Sequence, residues 1–253
     1  MAVIGVDLGS VNAKIVALED GQAIYQRIIP SRFDTLTAGK ELINDFIQTT
    51  GKKPEEIMVT GYGRVSFPEG KVVTEITCQA KGCHHIFPEY PFILDLGGQD
   101  AKAIKKNSLG KVVKFMMNDK CAAGTGRFLD VILKGLEINP AELELPEDIK
   151  PVTINSMCTV FAESEVITLL AKGAPKAEVI AGLFKSTAKR LSNFVESLGV
   201  SETLIFTGGG AHYRQLINYL EKELKLKIII PPEPELTAAL GAALLVNDWG
   251  IRT

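Results

Sequence analysis

The strongest constraint on this chain is one pattern that occurs twice. Val3 to Val16 runs as an apolar strand, an aspartate, a small-residue turn, a polar loop, a lysine and a second apolar strand, and Phe92 to Ile104 repeats that order. Set side by side, Asp95 matches Asp7, Gly97 matches Gly9 and Lys102 matches Lys14. A single Asp-x-Gly-Ser hairpin is better explained by a plain turn, but a duplication is far more specific and implies two similarly built halves. The chemistry of each hairpin follows from its residue types. Asp7 ends a strand where it can reach a hydrated magnesium ion, Gly9, Ser10 and Asn12 offer amides and polar side chains to phosphate, and Lys14 adds charge. Asp95, Gly97, Gly98 and Lys102 repeat that set, and Gln99 adds a side chain able to orient an attacking water.

A third turn lies further on. Thr203 to Phe206 reads as a strand, Tyr213 to Leu224 as a helix, and Gly208, Gly209 and Gly210 form the turn ahead of that helix. Two acid-tipped hairpins, then a glycine turn, then an Ala-rich terminal helix over Leu236 to Val246: this order resembles the actin, hexokinase and heat-shock chaperone ATPases, a resemblance that implies a glycine turn touching adenosine. The expected fold is α/β and actin-like, with two RNase H-like lobes and nucleotide in the cleft. Lobe I would comprise residues 1–91 plus 235–253, and lobe II residues 92–234. Other segments fit packing alone: a hairpin through Asp20-Gly21, an amphipathic helix over Thr35 to Thr50 closed by Gly51, and a helix over Glu75 to Phe87. Gly61-Tyr62-Gly63-Arg64 forms a turn after the strand Ile57 to Thr60, with no chemical role legible in its residues.

Composition narrows the partners. A net charge of -2 over 253 residues leaves no basic excess for nucleic acid, and no apolar run approaches membrane length. A cytoplasmic protein with small-molecule or protein partners is expected. Four cysteines are too few for a disulfide scaffold at this size. Cys78 and Cys83, near His84 and His85, match no usual zinc spacing, and five residues on a helix turn them off one face. They read as small thiols of a partly buried helix.

Cys121 and Cys158 have a different setting. The stretch Asn118 to Asp130 places Cys121 among Ala122, Ala123, Gly124, Thr125 and Gly126, and Asn155 to Glu165 carries Cys158. Each cysteine follows by two residues a common helix cap, Asp119 and Ser156, so both thiols are expected at helix starts. There the positive helix end favours anions and a thiolate makes a good metal ligand. On the residues alone, a pair of buried free cysteines is an equal reading. Two thiolates cannot complete a Cys-ligated iron–sulfur cluster, but a twofold dimer would supply two more.

The two cysteine stretches resemble those of the ATP-dependent activators of 2-hydroxyacyl-CoA dehydratases, a family that includes the ATPase subunits of benzoyl-CoA reductases (BadF/BadG/BcrA/BcrD type). The resemblance covers nearly the whole chain. It implies one [4Fe-4S] cluster per homodimer, held by Cys121 and Cys158 of both copies, with ATP and Mg2+ as further cofactors. The implied function is one-electron donation driven by ATP hydrolysis. A ferredoxin or flavodoxin would load the cluster, and an iron–sulfur partner of the dehydratase, reductase or double-cubane cluster type would accept the electron. This sequence departs from the family pattern at Gln79, where His is usual, and at Glu235, where Gln is usual. A small-molecule kinase of the same fold, or a non-catalytic nucleotide sensor, would share the three nucleotide turns. A kinase also needs a second-substrate pocket with a catalytic Asp, for which a chain this short leaves little room.

Overall fold

A computed structural model describes residues 2–32, 34–140, 143–146, 148–156 and 158–249. Met157 and residues 250–253, which fall within segments discussed above, lie outside the described residues. The chain divides into two compact units, one of residues 1–93, 104–115 and 231–253 and the other of 94–103 and 116–230.

The first unit is built on a sheet of five strands in the order β3-β2-β1-β4-β5. These are β1 (Ala2–Leu8), β2 (Asn12–Glu19), β3 (Gln22–Pro30), β4 (Glu56–Thr60) and β5 (Lys71–Val72). β1 and β2 pair antiparallel with Asp7 opposite Lys14, and β1 and β4 pair parallel with Asp7 opposite Thr60. β2 and β3 turn through Asp20 and Gly21, both at positive φ. That is the backbone a twisted two-residue hairpin requires. Ile4, Val6, Leu8 and Ile15 are fully buried and pack with Phe46 and Leu42 of α1 (Thr35–Thr50). At about 1.5–3 kcal/mol for each fully buried side chain, this apolar core outweighs any single polar contact in the unit. Helix α1 starts at Asp34, whose carboxylate accepts from Thr37 N–H at 3.0 Å, and stops at Gly51 in the left-handed region. Helix α2 (Glu75–Ile86) and the Ala-rich α7 (Thr237–Trp249) complete the packing. The small side chains of Ala239 and Ala243 let α7 lie against Val16 and Leu18.

The second sheet has the order β10-β9-β6-β7-β8. Its strands are β6 (Phe92–Leu96), β7 (Ala101–Lys106), β8 (Val112–Asn118), β9 (Leu204–Thr207) and β10 (Ile228–Ile229). The helices of the second unit are α3 (Gly126–Gly135), α4 (Thr159–Ala171), α5 (Lys176–Glu196) and α6 (Arg214–Leu224). Phe128, Leu183, Phe184, Leu216 and Leu220 are fully buried. Among the described residues no helix is long and apolar enough to cross a membrane.

Candidate functional site

In the first hairpin Asp7 is 3% exposed and its Oδ2 accepts from Lys14 Nζ at 3.0 Å. Burial alone would lower the Lys14 pKa, but the charge and hydrogen bond of Asp7 outweigh it and hold the lysine above its ordinary value. The other oxygen, Asp7 Oδ1, is buried without a hydrogen-bond partner. An orphaned buried acceptor costs about 1–3 kcal/mol, so the position fits a donor such as a magnesium-bound water. The turn holding Gly9, Ser10 and Asn12 is pinned by Ser31, whose Oγ donates to Gly9 O at 2.6 Å. Asn12 Nδ2 donates to Glu235 Oε2 at 3.1 Å, so Glu235 braces this turn from the segment ahead of α7.

The second hairpin repeats this geometry in the second unit. Lys102 Nζ lies 3.3 Å from Asp95 Oδ2 and 2.7 Å from Asp100 Oδ1, with Lys102 and Asp95 both 2% exposed. Thr207 Oγ1 donates to Asp95 Oδ1 at 3.0 Å. The turn closes by Gly97 N–H donating to Asp100 O, and Gln99 is exposed beyond Gly98. Both lysines expected to face phosphate are thus already engaged by hairpin carboxylates.

A further correspondence was missed at the level of sequence. Thr60 ends β4 and leads into Gly61-Tyr62-Gly63, and Thr207 ends β9 and leads into Gly208-Gly209-Gly210. Gly61 and Gly208 both sit at positive φ, 86° and 81°. A Cβ on Gly61 would meet Asp7 Oδ1 and lie 2.7 Å from the Leu8 carbonyl carbon, and one on Gly208 would lie 2.8 Å from Asp95 Oδ1 and 2.5 Å from Leu96 O. Each hairpin aspartate is therefore backed by a turn that only glycine fits. The duplication consequently includes the Gly61 turn as the counterpart of the Gly208 turn. The shared Thr-Gly-x-Gly was the available signal. Arg64 locks the first turn, its Nη1 donating to Gly61 O at 2.8 Å.

Cys121 and Cys158 are both exposed, which overturns the reading of a buried pair, whereas Cys78 and Cys83 are buried. Burial pushes the Cys78 thiol up to about 12. The expected placement of Cys121 in a first helical turn is corrected. Helix α3 begins only at Gly126, because Thr125 turns the chain back through its N–H and Oγ1, both donating to Ala122 O, and Gly124 is at φ 81°. Cys121 lies in the loop ahead of it, where Asn118 Nδ2 donates to Cys121 O and Ala123 O, each at 3.1 Å. Cys158 is itself the cap position of α4, not a first-turn residue. Ser156 does not cap that helix, because the cap position falls two residues on; its N–H donates to Glu165 Oε2 at 2.7 Å and its carbonyl accepts from Arg190 Nη2 at 2.6 Å. Burial would raise the Glu165 pKa, but hydrogen bonds from Ser156 and Asn155 outweigh it and hold the carboxyl at about 2. The loop of Cys121 is joined to the second hairpin: Gly126 N–H donates to Gly97 O and Arg127 N–H to Gly98 O, both at 2.9 Å. Among the described residues no group of three or more His, Cys, Asp or Glu side chains could hold a metal ion within one chain.

Paired hairpins, each ending in a buried aspartate backed by a glycine turn, on two five-stranded sheets define an actin-like ATPase fold of two RNase H-like lobes. The chain belongs to the BadF/BadG/BcrA/BcrD ATPase family, whose model matches residues 4–246. It is 40% identical over 254 residues to the 2-hydroxyisocaproyl-CoA dehydratase activator of Clostridioides difficile, covering 98% of this chain and 96% of that protein. The solved structure of a Clostridium difficile activator of 2-hydroxyisocaproyl-CoA dehydratase with bound ADPNP superposes with a TM-score of 0.90 at 37% identity, covering 99% of this chain and 96% of the other. Component A of the Acidaminococcus fermentans (R)-2-hydroxyglutaryl-CoA dehydratase gives a TM-score of 0.93 at 36% identity over 100% of both chains.

Proposed function

We propose that this protein is an ATP-dependent one-electron donor that activates an iron–sulfur partner of the 2-hydroxyacyl-CoA dehydratase, benzoyl-CoA reductase or double-cubane cluster type. The observation that carries the reading is the pair of backbone hydrogen bonds from Gly126 and Arg127 to Gly97 and Gly98, because they tie a loop with an exposed thiol to a nucleotide-type hairpin. Similarity to activators, one of them solved with bound ADPNP, supports it.

In this reading the turns at Asp7 and Asp95 take the phosphates of ATP, aided by Gly9, Ser10, Asn12, Gly97 and Gly98. Asp7 Oδ1 would accept from the water of a hydrated Mg2+, and Gln99 would orient the water that attacks. The turn at Gly208, Gly209 and Gly210 receives the adenosine. Cys121 and Cys158, with the same pair from a second copy, would hold a [4Fe-4S] cluster. Two exposed thiols per chain, with Cys121 near an arginine, Arg190, whose Nη1 is buried and unpartnered, suit an anionic sulfur centre shared between copies. Such a cluster supplies one-electron transfer at low potential, with a reduced ferredoxin or flavodoxin as its source. Surface placement of the thiols serves both sharing and donation.

Purification without oxygen tests this reading. A brown dimer with one cluster per two chains and a measurable ATPase rate is expected. A colourless protein that phosphorylates a small molecule would contradict it, as would one that binds ATP without hydrolysing it.

A further inference from the structure

Arg190 lies on α5 and reaches both cysteine segments. Its guanidinium carbon sits 5.1 Å from the centre of the Phe128 ring, in the first turn of the helix that follows the Cys121 loop. Its Nη2 donates to Ser156 O, two residues ahead of Cys158. Cys121 is close enough for its charge to act on the same guanidinium. The remaining terminal nitrogen, Nη1, is buried and has no acceptor. Buried donors are nearly always paired, so an orphaned one beside a binding segment marks a place where a bound group supplies the acceptor.

We propose that Arg190 is the positioning residue that joins the two cysteine segments and turns its Nη1 N–H groups toward the anionic sulfur they carry. The proposal rests on the reading of Cys121 and Cys158 as cluster ligands and adds to it the residue that holds them in register. Arginine suits the task because its planar fork serves two acceptors at fixed geometry, whereas lysine is a point charge on a flexible stem. A cation donating to sulfur stabilises the reduced, more negative state of an iron–sulfur centre and raises its potential. Its link to Ser156 O independently keeps the Cys158 segment from swinging away.

The test uses the full chain, purified without oxygen, as parent, Arg190→Gln and Arg190→Lys. Iron and sulfide per chain, the rate of iron removal by a chelator, and the midpoint potential are measured for each. Arg190→Gln should lose iron to the chelator about 10-fold faster or more, and its potential should move to a more negative value. Arg190→Lys should stay nearer the parent's potential while still losing iron fast, because the charge remains and the fork does not. A structural role alone would change iron loss and leave the potential in place. Parent-like potential and chelation in Arg190→Gln overturn the proposal. If that variant does not fold, parent-like chelation in Arg190→Lys overturns it equally. A parent that holds no cluster overturns the ligand reading and this proposal together, whereas a loaded parent with unaffected variants overturns this proposal alone.

Discussion

Asp7 and Asp95 share a setting but differ in their free valence. Asp95 has both oxygens engaged, by Lys102 and Thr207, while Asp7 keeps one oxygen orphaned. Asp7→Ala should therefore lose magnesium-dependent ATP hydrolysis by about 10²-fold or more, the scale for removing a preorganised polar group from a reacting site. Asp95→Ala should lose hydrolysis as well, because Lys102 is left buried without that partner, and both variants should keep their iron. Gln99→Ala should bind ATP and turn it over slowly; full turnover would remove Gln99 from the mechanism. Steady-state phosphate release with parallel iron analysis decides these points. The cysteines divide just as sharply. Cys121→Ser and Cys158→Ser should abolish cluster binding, while Cys78→Ser and Cys83→Ser, at fully buried positions, should leave most of the iron in place. Unchanged iron in Cys121→Ser would contradict the ligand assignment.

At the scale of elements, the segment ahead of Cys158 is gripped by a carboxylate. Asn155 N–H, Asn155 Nδ2 and Ser156 N–H all donate to Glu165. Its folded pKa of about 2 lies below the ordinary 4.5, so its contribution is fully present above pH 4.5 and is lost as pH falls through about 2. Glu165→Gln should lower the thermal midpoint of the iron-free protein modestly at neutral pH, and the gap to the parent should close as pH falls toward about 2. A gap independent of pH would mean that the carboxylate's charge contributes nothing. The same region shows what sequence could and could not reveal. Helix α1 was legible to both ends because the apolar spacing and Gly51 agree. The hairpins were legible because they are repeated. The start of α3 was legible in part, since Gly124 and Gly126 weaken the first turns and put a start near Thr125. The bond that fixes it, Gly126 donating to Gly97 O, comes from a partner far away in sequence. β8 was not legible, since its Val113, Phe115 and Met117 are exposed and give no one-sided burial pattern. β5, two exposed residues long, carries no pattern at all. Among the site residues, Ser156 resembled a cap, but the cap position falls on Cys158.

For the molecule as a whole, a cluster shared by two copies adds bonds between them. Oxygen should destroy such an exposed centre, and the dimer should loosen with it, read as a shift toward monomer in sedimentation after exposure to air. A dimer equally tight before and after would contradict sharing. Nucleotide and cluster are expected to act on one another through the hairpin and the Cys121 loop. Anaerobic removal of iron by a chelator, followed optically with ATP, with ADP and with no nucleotide, tests it most directly when the midpoint potential is measured in the same three states. ATP should change the chelation rate or the potential relative to ADP. Identical rates and identical potentials in all three states would contradict it.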